Sequence, residues 1–283
     1  MRKEELRTYI ENHESEMIED LKSLIRIPSE KQAAEPGKPF GAPAAEALAQ
    51  GIEILEKYGF AVTNYDNYAI AADFNQEEKG LDILAHLDVV PAGEGWQETD
   101  PFTPLVKDGK MFGRGTADDK GPAIAAIYAM RAVKELGYPL KKNVRLVLGS
   151  DEECGSSDLE YYYKKEAEAP CTFSPDAEFP VINIEKGGMR GHFEKTSDGG
   201  TTGVHLVSLQ AGTKLNVVPG KAYAELAGMK KEELKACADE TEQKTGVSFL
   251  LEDNENGTVK ITACGAFAHA STPEMGNNAL TAL

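Results

Sequence analysis

Leu84-Ala85-His86-Leu87-Asp88-Val89-Val90 is an apolar run broken by a His and an Asp two positions apart. Side chains alternate faces along a strand, so His86 and Asp88 point to the same side. One imidazole nitrogen can then bind a cation while the carboxylate holds the other N–H and fixes the tautomer. An isolated His-x-Asp in an Asp-rich chain reads as surface chemistry. Three further runs change that reading: Gly113-Arg114-Gly115-Thr116-Ala117-Asp118-Asp119-Lys120-Gly121, Ser150-Asp151-Glu152-Glu153-Cys154-Gly155 and Ser174-Pro175-Asp176-Ala177-Glu178. Each falls where an apolar run ends, the place where α/β enzymes gather their chemistry.

Outward from this stretch the chain alternates strand and helix. Apolar positions at helical spacing predict a helix over 3–26, stopping before Pro28. A second helix is expected over 44–58, closed by Gly59. Strands are expected near 60–63, 68–73 and 81–85, then a Pro- and Gly-rich loop over 91–108 that ends in a short strand or turn. A helix over 120–137 and a buried strand over 143–149 follow. The alternation over 44–185 predicts an α/β fold with a mostly parallel sheet.

Beyond Gly187-Gly188 the texture changes to strand-like runs at 189–194, 204–211 and 222–227, a helix over 230–245 and strands at 247–252 and 258–263. This predicts a second, smaller α+β domain, with the chain divided into residues 1–186 and 187–283. A new helix starts near Asn278.

The 283 residues are 41% hydrophobic, enough to bury a sizeable core. Forty-seven acidic residues against 30 basic give a formal net charge of −17, which repels nucleic acid and anionic membranes and favours a cation or a small zwitterionic substrate. The charged start has no apolar signal core and no run approaches the ~18 apolar residues of a membrane span, so a cytoplasmic protein is expected. Cys154, Cys171, Cys237 and Cys264 form no C-x-x-C and read as reduced thiols, Cys154 as a small buried filler.

Two divalent cations held ~3.5–4 Å apart need several carboxylates and imidazoles, one carboxylate bridging. Asp118, after a Gly-rich turn and before a helix, is placed to bridge; its alternative is a helix N-cap. Glu152 and Glu153 point apart in an extended segment, so one can bind metal while the other serves as general base. Asp176 sits among Phe173, Phe179, Val181 and Ile182, where a cation would remove the cost of burying it.

LAHLDVVPAGEGW, MFGRGTADDKGP, GSDEECGSSD and FSPDAEFPVINIEKG, spanning roughly residues 80–188, together resemble the dinuclear zinc peptidase family of aminoacylase/carboxypeptidase type, and within it the bacterial PepV-like dipeptidases. KLNVVPG (214–220) and GAFAHAST (265–272) resemble two segments of that family's lid domain. The resemblance implies a catalytic domain and a lid, and two Zn2+ per complete site, with Co2+ or Mn2+ as substitutes. It implies that His86 and Asp176 bind one zinc, that Asp118 bridges, that Glu153 binds the other, and that Asp88 orients His86. Glu152 would be the general base, and a cis peptide would precede Asp119. Asn216 would touch substrate and His269 would polarise the scissile carbonyl. His13, His192 and His205 gain nothing from it.

One departure stands out. The family's second zinc takes a His from near its C-terminus, and a lid Arg that grips substrate also lies later, but no His follows His269 here. The resemblance therefore predicts a C-terminally truncated chain. The function expected is zinc-dependent hydrolysis of dipeptides with a free amino terminus. The alternatives are an inactive or metal-binding-only homologue, or an amino-acid deacylase of the same family. Side-chain specificity, native metal and oligomeric state are not legible in the sequence.

Overall fold

The computed structural model describes residues 3–93, 96–177, 179, 182–184, 186–189, 191–194 and 202–283. The chain divides into two compact units, Met1–Asn183 and Ile184–Leu283.

The first unit opens with helices α1 (Lys3–Asn12) and α2 (Glu14–Ile25) in place of one continuous helix. Asn12 and His13 are weak helix formers, and the His13 ring Nδ1–H donates to the Tyr9 carbonyl at 2.7 Å, a local bond that competes with helix propagation. Helix α3 (Ala42–Lys57) precedes a hairpin of β1 (Ala61–Tyr65) and β2 (Ala69–Asp73). Strand β3 (Lys79–His86), the small ribbon β4 (Leu105–Lys107) and β5 (Lys110–Phe112), helix α4 (Lys120–Glu135) and strand β6 (Asn143–Gly149) follow. A 3-10 turn (Glu152–Cys154), the short helix α5 (Ser157–Tyr162) and the two-residue strand β7 (Thr172–Phe173) complete it.

The sheet order is β1-β2-β6-β3-β7. It is mixed and not mostly parallel: β1–β2 and β2–β6 are antiparallel, β3–β6 and β3–β7 parallel. The physical reason is the tight turn Tyr65–Tyr68, with Asp66 and Asn67 at φ of 54° and 59°, which can only reverse the chain into an antiparallel neighbour. Leu48, Leu55, Ile124, Ile127, Leu146 and Leu148, all at most 1% exposed, pack α3 and α4 on one face. Burying each such side chain stabilises the fold by roughly 1.5–3 kcal/mol. A smaller cluster of Tyr65, Ala71, Val147 and Tyr162 covers the other face.

The second unit contains a four-stranded antiparallel sheet ordered β11-β12-β10-β8, built from β8 (His205–Ala211), β10 (Lys221–Ala227), β11 (Ser248–Asp253) and β12 (Val259–Cys264). Helices α6 (Lys231–Thr245) and α7 (Ala279–Ala282) accompany it, the latter capped by the Asn278 side chain, which accepts from the Leu280 and Thr281 N–H groups. A two-stranded ladder joins β9 (Val217–Val218) to β13 (Ala268–His269). Residue 190 of the strand expected at 189–194 lies outside the described residues, and the described remainder forms no strand. No helix among the described residues is long and apolar enough to cross a membrane.

Candidate metal centre

Strands β3 and β6 are parallel neighbours, and their last residues, His86 and Gly149, are register partners. The chain segments leaving them, residues 87–89 and 150–153, therefore emerge side by side at the carboxyl edge of the sheet. Strand β7 runs parallel to β3 and leads to Asp176, while Asp118 stands just ahead of α4.

His86 is 2% exposed. Its Nδ1–H donates to the Asp88 backbone carbonyl at 3.0 Å, with the Asp88 carboxylate at 3.2 Å, so the ring is oriented by both oxygens of that residue. This directs Nε2 at Asp118 Oδ1 (3.2 Å), Asp176 Oδ2 (3.5 Å) and Glu152 Oε2 (3.7 Å). None of these approaches makes a hydrogen bond, and Nε2 is a buried polar atom left without a partner among the described residues. Such an orphan is costly unless something else satisfies it.

Burial opposes a charge on His86, but the carboxylates of Asp118, Asp176 and Asp88 outweigh it and push its pKa well above the ordinary value. The same contact lowers Asp118. Burial raises Glu152, His86 partly opposing it, and raises Glu153 to about 7 with help from the Asp118 charge. Carboxylates crowded around one point raise His86 and add to the burial that raises Glu152 and Glu153. A divalent cation relieves that crowding, and an imidazole with carboxylates suits zinc, cobalt or manganese. The donor atoms of His86, Asp118 and Asp176 lie within 4.8 Å of one another, so the residues present fit a metal. Glu153 is not part of that cluster.

Glu152 and Glu153 sit in the 3-10 turn and not in an extended segment. The reason is Asp88: its Oδ1 accepts from the Glu152 N–H (3.3 Å) and its Oδ2 from the Glu153 N–H (3.2 Å), curling the backbone around one buried carboxylate. Asp88 thus holds both the imidazole and the acidic turn, a second role that the His-x-Asp spacing does not disclose. Asp119 was also missed. Its carboxylate is fully buried and accepts the His86 N–H at 3.0 Å, and burial raises its pKa to about 7. The peptide between Asp118 and Asp119 is cis.

Two local expectations are corrected. Asp176 is half-buried, and Phe173, Phe179 and Ile182 are exposed at 47–72% and form no apolar wall around it; Val181 lies outside the described residues. Cys154 is exposed, because the turn lifts it from the sheet end into solvent.

In the second unit the β9–β13 ladder sets His269 opposite Val217, beside Asn216, whose carbonyl accepts the Ala270 N–H at 2.8 Å. Both side chains are exposed, and His269 Nδ1 lies 2.6 Å from Ser271 Oγ. Asn216 lines a cleft of about 820 Å3 with Lys186, Leu215, Ala270 and Ser271.

Fold and donor set define an α/β protein with a carboxylate-rich cluster that fits a divalent cation. Residues 83–196 match Peptidase family M20/M25/M40. The chain is 37% identical over 273 residues to YtjP of Bacillus subtilis (strain 168), covering 93% of this chain and 58% of that protein. It is 36% identical over 272 residues to Beta-Ala-Xaa dipeptidase of Lactobacillus delbrueckii subsp. lactis, covering 94% and 57%. Human carnosine dipeptidase 1 superposes with a TM-score of 0.54 at 28% identity, over 62% of this chain and 41% of that one. The chain belongs to the M20 peptidase family. It spans just under three fifths of the length of the two bacterial relatives.

Proposed function

We propose that this chain carries the hydrolytic centre of a metal-dependent dipeptidase acting on short peptides with a free amino terminus. The observation that carries the reading is the buried, unpartnered His86 Nε2 facing Asp118, Asp176 and Glu152. The names of the relatives supply the substrate class.

In this reading His86, Asp118 and Asp176 hold one ion, and Asp118 and Glu153 contribute to a second. Ions bound there supply Lewis acidity, polarising a carbonyl and making water more acidic. Glu152 faces the same point with its pKa raised by burial, which suits a carboxylate that takes a proton from water and returns it to the leaving amine. Asp88 keeps that carboxylate and the imidazole in one frame. Asn216 and His269 are assigned to substrate, Asn216 as a contact and His269 as donor to the developing oxyanion.

A second reading, metal binding without turnover, is favoured by one observation: a single cluster of three mutually close donors is found among the described residues. Hydrolysis of unblocked dipeptides and N-acyl amino acids, with zinc, cobalt or chelator and beside a Glu152→Gln control, separates them. Metal-dependent cleavage of dipeptides that falls by about 10²–10⁴-fold in the control supports the dipeptidase. Preferred cleavage of N-acyl amino acids replaces it with a deacylase. Folded, zinc-binding protein that turns over neither class of substrate leaves the metal-binding reading.

A further inference from the structure

Three of the segments that carry the candidate centre are fastened to one short stretch that supplies no ligand, Leu24–Lys31. Lys120, two residues beyond Asp118, is fully buried and donates its ammonium to the carbonyls of Leu24 (2.9 Å) and Ile27 (2.8 Å). Ser29, also fully buried, donates its hydroxyl to the Leu87 carbonyl (2.6 Å), and its own carbonyl accepts the Val89 N–H (3.2 Å). Lys31 pairs with Asp151 Oδ1 at 2.6 Å. These contacts reach the segment after β3, the start of α4 and the turn after β6, whose relative placement sets the donor geometry. The stretch lies outside the residues that match the peptidase family.

The third contact stands alone in kind. Asp151 is fully buried and immediately precedes Glu152. Its Oδ2 accepts from the Ser157 hydroxyl and N–H, and its backbone carbonyl accepts from Cys154 and Ser156, so the whole acidic turn is wound around it. Removing one partner of a buried pair leaves an uncompensated charge, which the structure answers by moving that charge towards water. Moving Asp151 means moving Glu152 and Glu153.

We propose that Lys31 is a positioning residue: by neutralising the buried Asp151 it holds the 3-10 turn so that Glu152 faces the His86 imidazole and Glu153 stays on the turn held by Asp88. The proposal rests on the metal-centre reading above and deepens it, since among the described residues Lys31 pairs with Asp151 and with none of the candidate donors. The ammonium sits 5.1 Å from the centre of the Phe40 ring, a second contact that helps hold it in place.

The test compares Lys31→Met and Lys31→Arg in the full chain by cobalt titration, followed through the metal's visible absorption, and by dipeptide hydrolysis. Lys31→Met is expected to weaken cobalt binding by about 10–100-fold, the range for losing a group that orients a ligand. It is also expected to lower kcat by about tenfold or more with KM nearly unchanged, as befits an interaction that serves the transition state. Lys31→Arg restores both. A Met variant with parental cobalt affinity and kcat overturns the proposal, as does a loss confined to KM or an Arg variant no better than Met. If Lys31→Met does not fold, the double variant Lys31→Met/Asp151→Asn, which has no unpaired buried charge, is expected to fold and to bind cobalt; its failure to fold overturns the proposal. A parent chain that binds cobalt but hydrolyses no dipeptide removes the dipeptidase reading, while the cobalt titration still decides the role of Lys31.

Discussion

Gly149→Ala tests how the end of β6 is held to the acidic turn. A Cβ added to Gly149 would lie inside van der Waals contact with the Asp158 carboxylate. That carboxylate is fully buried, and Oδ2 accepts the N–H groups of Ser150 (2.6 Å) and Asp151 (2.9 Å), while Oδ1 accepts that of Leu159 (2.7 Å). Overpacking costs about 1–3 kcal/mol, and each hydrogen bond to a charged group contributes about 1.5–3 kcal/mol. The two costs overlap, since moving the carboxylate relieves the clash, so about 3 kcal/mol is expected. For a unit of this size that lowers Tm by about 6–12 °C. The assay is a double-mutant cycle with Asp158→Ala, read by calorimetry. With the carboxylate gone, the added methyl should cost at least about 1 kcal/mol less than in the parent. Strict additivity, or a Gly149→Ala chain as stable as the parent, would refute the reasoning.

Two other outcomes follow from the geometry. Asp88→Ala frees both the His86 ring and the Glu152 and Glu153 N–H groups, so zinc affinity measured against a competing chelator should fall by about 10–100-fold; parental affinity would show that Asp88 orients nothing. Glu166 accepts from Lys79, Arg145 and Tyr65, each at 2.8 Å. Burial works to raise its pKa, but these donors outweigh it and hold it at about 2, below the ordinary 4.5. A depressed carboxylate contributes stability that is present above pH 4.5 and is lost as pH falls through 2. Glu166→Gln should therefore cost about 1–2 kcal/mol near neutrality, after allowance for partial exposure, and the gap should close towards pH 2 in urea titrations. A gap that stays constant across that interval would contradict the assignment.

Legibility in the sequence tracked how locally each feature is determined. The strand expected at 143–149 is found over those same residues, because Val144, Leu146, Val147 and Leu148 make a short apolar stretch between a Lys-Lys pair and Gly149-Ser150. The helix after Asp119 ends at Glu135, just short of Gly137, whose φ of +71° stops it. Strand direction was harder, since it depends on which distant strands become neighbours. The hairpin at Asp66-Asn67 carried a signal that the sequence reading did not use: two residues that tolerate positive φ between apolar runs mark an antiparallel pair. At the centre, the acidic and imidazole residues named from the motifs His86, Asp118, Glu152 and Asp176 lie together. Of the groups that hold them, Asp88 was legible beside His86, but Lys31, Ser29 and Asp158 were not, because they meet the site only through tertiary contacts and carry no pattern of their own.

The parallel pairing of β3 with β6 also dictates the order in which this molecule can be assembled. Antiparallel neighbours β1 and β2 meet across a three-residue turn, whereas His86 and Gly149 become partners only after the intervening chain, α4 included, has doubled back. Closing so long a loop costs entropy before any contact rewards it, and such pairings set the pace of folding. The centre is therefore expected to form no earlier than the β3–β6 pairing, so a cation added during refolding should accelerate no step before β6 docks, although it would stabilise the finished fold.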